Sequence, residues 1–373
     1  MKKALPILLF ISIIILIVGL IHQKNISQDK NNIKEVRAVV LSAEDSNMVQ
    51  QGIIKVGSQT LEIEITEGQF SGQRVKASNA LAGKMEFDNY FKPGDKIIAA
   101  ILIENNQIKT AKAVDLYRQD WQLMLFGLFV LSLLLYARFV GLKALFSFVA
   151  SVFIVWTILI PGLLEGKNPI ILSGLVLVIL TAIIIFSVAG FTKTGIAAFG
   201  GTICGFLVTT IVTMLFGEKL ALTGMTAPFS EALIYSGHFE LNLKEILYAS
   251  IIIGASGAAM DIAIDVAAAM EEIKLNNPEI NMKELIKSGF NIGRAVIGTM
   301  STTLLLAYSG GYLTLLMLFM TKNTSFLRII NMQIVSVEII RTLAGSIGLV
   351  LVAPITAIIA AWILCKGAVA KRT

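Results

Sequence analysis

The sequence predicts a polytopic α-helical membrane protein of about eight transmembrane helices, with a small extracytoplasmic all-β, barrel-like domain between helices 1 and 2. Three observations predict it. The 373 residues are 55% hydrophobic and only 15% charged, whereas soluble domains carry roughly 25% charged residues. Apolar runs long enough to span, about 20 residues for a ~30 Å hydrocarbon core, recur from Trp121 to the end. One polar, β-patterned stretch interrupts the first and second runs.

Residues 1–22 open with two lysines and an apolar run from Ala4 to Ile21. No small-residue cleavage site follows Val18-Gly19-Leu20-Ile21, so the run reads as an uncleaved anchor rather than a signal peptide. Residues 23–34 are polar and unpatterned, a linker.

Residues 35–118 read as β. VRAVVL, QQGIIKV, QTLEIEIT, QRVKAS, KIIAAILIE and IKTAKAVDL are six short β-branched segments. In TLEIEIT, Leu61, Ile63 and Ile65 alternate with Glu62 and Glu64, so one face is apolar. Gly57-Ser58, Glu67-Gly68, Ser71-Gly72, Lys92-Pro93-Gly94-Asp95 and Asn105-Asn106 are turn signals. A small barrel or sandwich follows, an oligonucleotide/oligosaccharide-binding type barrel being one candidate.

The domain from 119 to 366 is predicted to hold seven helices, near 121–138, 143–161, 170–189, 195–216, 246–266, 295–319 and 334–364; residues 367–373 form a tail. The last helix exceeds one straight span, so either Pro354 kinks it or its start lies along the interface. Lys and Arg concentrate on alternate loops: Arg138, Lys143, Lys193, Lys274, Lys283, Lys287, Arg294 and the terminal basic residues fall on one side. Cytoplasmic loops carry such an excess, which predicts both termini in the cytoplasm and the β-domain outside. Between the fifth and sixth of these helices, Asn276-Asn277-Pro278 breaks a helix and Asn281 can cap the next with Glu284 three residues on. Met282, Leu285, Ile286 and Phe290 then share a face. That face lies either on the inner leaflet or against neighbouring protein.

Asp261 and Asp265, in GASGAAMDIAIDVAAAM, are offset by only ~40° around a helix and ~6 Å along it. A carboxylate deep in lipid costs at least ~2.5 kcal/mol, so it should face the bundle, water or a partner. Asp265 also suits an end-of-helix acid in wet headgroups. Arg294, at the start of the next helix, is the expected partner, either as a structural ion pair or as part of a polar site. Two acids and one base leave a surplus charge for a cation or proton. Thr299, Thr302 and Thr303 either line a path there or bond back to their own helix carbonyls. Gly254 and Ala258, Ala255 and Ala259, and Gly201 and Gly205 are small pairs four apart, which lets helices approach closely. Glu338 and Arg341, three apart, form a second charged pair at the outer end of the last span.

Other chemistries find little support. Cys204 and Cys365 build neither a disulfide framework nor a zinc site, and His22 and His238 suggest no metal. GLLEGKN at 162–168 lacks the spacing and the hydroxyl residue of a phosphate loop. No zinc-protease, nucleophile-elbow or paired intramembrane aspartate signature is present, so no enzyme and no cofactor are expected. The net charge of +6 reads as basic loops, not as a nucleic-acid surface.

GASGAAMDIA (254–263), SGFNIGRAVIGTMSTTLLLAYSGG (288–311) and FLRIINMQIVSVEIIRTLAGSIGLVLVAPITA (326–357), with GLKAL, AFGGTICG and FSGQRVKASN, resemble the YibE/F-like family of bacterial multi-spanning membrane proteins. The resemblance implies an integral protein of the bacterial cytoplasmic membrane and no cofactor. Asp261, Gly293, Arg294, Gly298, Thr299, Ala307 and Tyr308 match the family pattern. Two positions depart from it: Ala295 stands where an acid is usual, and Asp265 where a small residue is usual. The combined reading is a transport-related permease for a small solute or ion, with a polar site around Asp261 and Arg294. The rival is a non-transporting envelope scaffold or assembly protein whose outer β-domain binds a partner or glycan. The lipid bilayer is a partner in both.

Overall fold

The computed structural model describes residues 32–84, 87–322 and 324–369. The expected first helix and most of the linker lie outside them. The chain forms two compact units, Met1–Arg138 and Phe139–Thr373.

In the first unit, β1 (Ile33–Gln51), β2 (Ile54–Ile65), β3 (Arg74–Ala82), β4 (Lys96–Glu104) and β5 (Gln107–Leu116) close into a barrel in the order β1-β2-β3-β5-β4. All neighbours are antiparallel except β3 and β5, which meet through Ala77 and Ala111. This is a five-stranded Greek-key barrel of the oligonucleotide/oligosaccharide-binding type. The period-two faces set it up. Leu61, Ile63 and Ile65 point inward at 1% exposure or less, meeting Val36, Ala38, Val40, Ile97, Ala99 and Ile101. Glu64 points out to pair with Arg74 at 3.1 Å. Two amides are buried with their hydrogen bonds met. Gln59 Nε2 donates to the Phe91 carbonyl at 2.8 Å, and Asn79 Nδ2 to that of Asn89 at 2.7 Å.

Five strands replace the expected six. QQGIIKV straddles the β1–β2 turn at Gly52, and its second half runs on into QTLEIEI as one strand. Gly57-Ser58 is therefore not a turn. Gly57 sits inside β2 at φ +123°, where a Cβ would collide with the Asn47 carbonyl, beside the register shift between Glu44 and Asn47. A local Gly signal marks a bulge as readily as a turn. At Asn105-Asn106 both residues have positive φ and join β4 to β5, as the pair suggested.

The helical part runs α1 (Gln119–Ile154), one wide turn at Val155–Leu159, α2 (Ile160–Leu164), α3 (Pro169–Val188), α4 (Lys193–Lys219), α5 (Ser230–Tyr235), α6 (Leu243–Asn276), α7 (Met282–Gly311), α8 (Leu313–Thr321), α9 (Phe326–Ile330) and α10 (Gln333–Val369). Arg138, at φ 46° and ψ −118°, is a non-helical break inside α1. The wide turn directly precedes Pro161, which has no N–H to give to the preceding turn. Side-chain caps start the long helices: Asn168 accepts from the Ile171 N–H, Thr192 from Gly195, Asn242 from Glu245 and Asn281 from Glu284, each at 2.9–3.1 Å.

Among the described residues five helices are long and apolar enough to cross a membrane, or six if α7 and α8, bent by 64° at Tyr312, count as one span. The expected helices at 121–138 and 143–161 run together as Gln119–Leu164 around the Arg138 break. The expected helix at 295–319 is broken after Gly310-Gly311. The segment from Met282 is no separate surface helix but the first turns of α7, with Leu285 fully buried. Leu285, Ile286 and Phe290 pack on protein. α10 continues through Pro354.

Helix α6 lies at the centre, buried through Ala255, Ala259, Ile262, Ala263, Val266 and Met270. Small residues let its neighbours close in. Gly201 and Gly205 of α4 meet Thr356 and Val352 of α10, where any Cβ would overlap. Gly289 and Gly293 of α7 fit against Ala357 and Ala353 of α10, a Cβ on either falling 2.8–2.9 Å from the alanine methyl. That close approach is the packing expected between helices lacking a hydrophobic driving force in lipid.

Candidate functional site

The core-facing side of α6 is fixed by Ile262, Ala263, Val266 and Ala267, all at 0% exposure. Asp261 and Asp265 consequently project from the opposite flank, and both are exposed. Neither makes an ion pair or side-chain hydrogen bond among the described residues.

Arg294 does not reach them. Gly289 and Gly293 seat α7 on α10, and this sets the rotation of α7. Arg294 then lines an open groove of about 240 Å³ with Phe290, Gly293, Ile297, Val350, Ala353 and Pro354. Its guanidinium donates to Asn291 Oδ1 at 3.4 Å. The expected pairing with Asp261 or Asp265 is absent among the described residues. Thr299 lies five residues on, about 140° around the helix from Arg294. The hydroxyls of Thr299, Thr302 and Thr303 donate to the carbonyls of Val296, Gly298 and Thr299 at 3.0, 3.5 and 3.1 Å, the back-bonding alternative.

The third charged group is more enclosed than its sequence position suggested. Arg341 Nη1 lies 2.9 Å from Glu338 Oε1, and the two side chains are only 18% and 16% exposed. The same nitrogen donates to the Tyr312 hydroxyl at 3.1 Å. Tyr312 is the residue at the bend between α7 and α8. One turn earlier on α7, the buried Tyr308 hydroxyl abuts Gly254 of α6, 3.1 Å from where a Cβ would stand, and has no hydrogen-bond partner. Two tyrosines, one acid and one base therefore gather where three helices meet at a broken span. Broken helices inside membranes leave backbone groups free and recur where substrates and ions bind.

Tyr312 was missed from sequence. Its signal was the Gly310-Gly311 pair before it, since glycine weakens a helix interior. A further contact had no sequence signal: the Thr194 hydroxyl donates to Glu271, tying the start of α4 to the end of α6. No three His, Cys, Asp or Glu side chains gather as a metal site among the described residues.

Residues 125–366 match the family model described as YibE/F-like protein, and residues 27–116 match the YibE/F family N-terminal domain. The chain belongs to the YibE/F-like family. The two matches take in the barrel and most of the helical part. No curated protein and no solved structure matches it significantly.

Proposed function

We propose that the chain is a transport-related permease of the bacterial cytoplasmic membrane, moving a small solute or ion, and not an enzyme. The observation that carries this reading is the set of ionisable groups on apolar spans: Asp261 on α6, unpaired among the described residues, and the Glu338–Arg341–Tyr312 cluster at the α7–α8 bend. Ionisable residues inside spans are expensive and mark pathways. Arg294, once expected beside Asp261, takes a separate place.

The apolar run at 4–21 adds a span, and the Arg138 break divides Gln119–Leu164 in two. With α7 and α8 as one broken span, the total is eight. Both termini are then cytoplasmic and the barrel extracytoplasmic, the arrangement the Lys and Arg asymmetry supports.

The test is flux. Proteoliposomes are screened with solutes and ions, using a pH dye and tracer uptake. Wild type is expected to move at least one of them, and Asp261→Asn to abolish that flux while leaving insertion and unfolding unchanged. Full flux in Asp261→Asn, or none in folded wild type, overturns the reading.

One observation favours the scaffold reading. The barrel carries an open groove lined by Ile53, Ile54, Lys55, Leu81, Gly83, Asp88 and Tyr90. Ile53 is 81% exposed there. A partner or glycan would sit on that groove. Deleting 36–117 separates the two: loss of envelope function without any flux to lose favours the scaffold.

A further inference from the structure

We infer that the α7–α10 groove is a binding site for an anionic phospholipid, its headgroup phosphate held by Arg294 and Lys287 and its acyl chain laid in the groove. The inference goes beyond the permease reading and does not depend on it.

Sequence places the charges. Lys283, Lys287, Phe290 and Arg294 fall within about 60° of one another around α7. Phe290 and Arg294 line the groove, so the lysines continue its cationic edge toward the end of the helix. Both lysines are exposed. None of the three cations has a carboxylate within ion-pairing distance among the described residues. Among the described residues the cation stripe therefore lacks a counter-charge.

Packing supplies the groove. Gly293 and Ala353 meet at the floor of the groove, while Phe290, Ile297, Val350 and Pro354 wall it with hydrocarbon. An occupant must offer an anion at one end and an apolar body at the other.

Level along the helices agrees. Gly289 lies beside Ala357 and Gly293 beside Ala353, so the last turns of α10 run alongside the first turns of α7. At that end Lys366 sits over the ring of Trp362, 4.1 Å from its centroid, and Trp362 is half exposed. Trp and Lys of this kind mark a membrane surface. Arg294 is about 10 Å deeper than Lys287 along the axis. A long basic side chain at that depth extends toward the headgroups. Basic pockets between spans are suited to anionic headgroups. The chain's own apolar run at 4–21 contains no Asp or Glu, so it has no anion to offer Arg294.

The test uses the full chain in nanodiscs doped with phosphatidylglycerol or phosphatidylcholine carrying a photoactivatable acyl chain. Adducts of phosphatidylglycerol are expected on residues 290–297 and 350–354, about fivefold above phosphatidylcholine for each cation engaged. Arg294→Gln should lower capture about fivefold, Arg294→Gln with Lys287→Gln should bring it down to the phosphatidylcholine level, and Arg294→Lys should keep most of it. Lys287→Gln, at an exposed site, should lower capture about fivefold without risk to folding. Excess inorganic phosphate should leave the adducts in place. The inference is overturned by equal labelling from both lipids, by full capture in Lys287→Gln, by displacement with inorganic phosphate, or by a second copy of the chain crosslinking into the groove. Flux is not read, so failure here leaves the permease reading standing, and the reverse.

Discussion

Replacing Arg341 by Met tests whether the enclosed ion pair holds the broken span together. Arg341 serves both Glu338, at 2.9 Å, and the Tyr312 hydroxyl, at 3.1 Å. Met keeps the apolar stem and removes the charge. Glu338 would then be a carboxylate with little water and no counter-ion. Removing one partner of a buried pair costs about 3–5 kcal/mol. The lower figure applies, because 16–18% of each side chain still meets the surroundings. About 3 kcal/mol is a factor of roughly 150 in the unfolding equilibrium. Replacing both residues, Glu338→Leu with Arg341→Met, removes the stranded charge and should restore most of that loss. The assay is reversible unfolding in mixed micelles, followed by circular dichroism, for wild type, both single variants and the double. A coupling of about 2 kcal/mol or more between the two sites is the expected signature. A single-variant cost below about 1 kcal/mol would place the pair in the weak, exposed class. A double variant as unstable as Arg341→Met alone would refute the stranded-charge reasoning.

Gly201→Ala should destabilise the same unfolding transition by about 1–3 kcal/mol, since the new methyl overlaps Thr356; Gly257→Ala, with open space around it, should instead be neutral or slightly stabilising, and equal effects at the two sites would show that helix approach is not what matters. In the barrel, the Tyr90 hydroxyl donates to the Asp45 carboxylate, and that bond, then burial, pushes the phenol above its ordinary pKa of 10.0. A raised folded pKa means this contribution is fully present below pH 10 and is lost as pH rises through the folded value. An ultraviolet titration of wild type minus Tyr90→Phe should therefore show a phenol ionising above pH 10, and one ionising at or below 10 would contradict the bond.

The barrel's inner faces were legible because alternation at period two survives in any register that buries them. Leu61, Ile63 and Ile65 needed no partner to be recognised. Gly57 was misread because a glycine with positive φ serves a turn and a bulge equally, and only the opposing Asn47 carbonyl distinguishes them. The spans were legible because apolar length is local. The 64° bend was not, because Gly310-Gly311 sits within an unbroken apolar run. Helix rotation decided the fate of Arg294. Its position in the chain, at the inner start of the next span, suggested a meeting with Asp261. Gly289 and Gly293, the small stripe that actually seats α7, turn that side chain to α10 instead. The stripe was visible in the sequence, but its partner on α10 was not.

The separation of Asp261 from every cation among the described residues divides the charged residues into two kinds. Glu338 is neutralised in place, so its energetic role is exercised whether or not anything is transported. Asp261 and Asp265 stand on the outer flank of α6 with no compensation among the described residues, where exposure to hydrocarbon would cost each at least ~2.5 kcal/mol. A protein gains no stability from keeping them there, so their presence calls for water, a bound cation or a proton at that flank. The consequence is a crossed pattern. Changes at Arg341 should act first on unfolding and only then on activity. Asp261→Asn should leave unfolding unchanged or improved and act on activity alone. A variant at Asp261 that lost stability and function together would mean that the acid has a structural partner, and the site would have to be rebuilt around that contact.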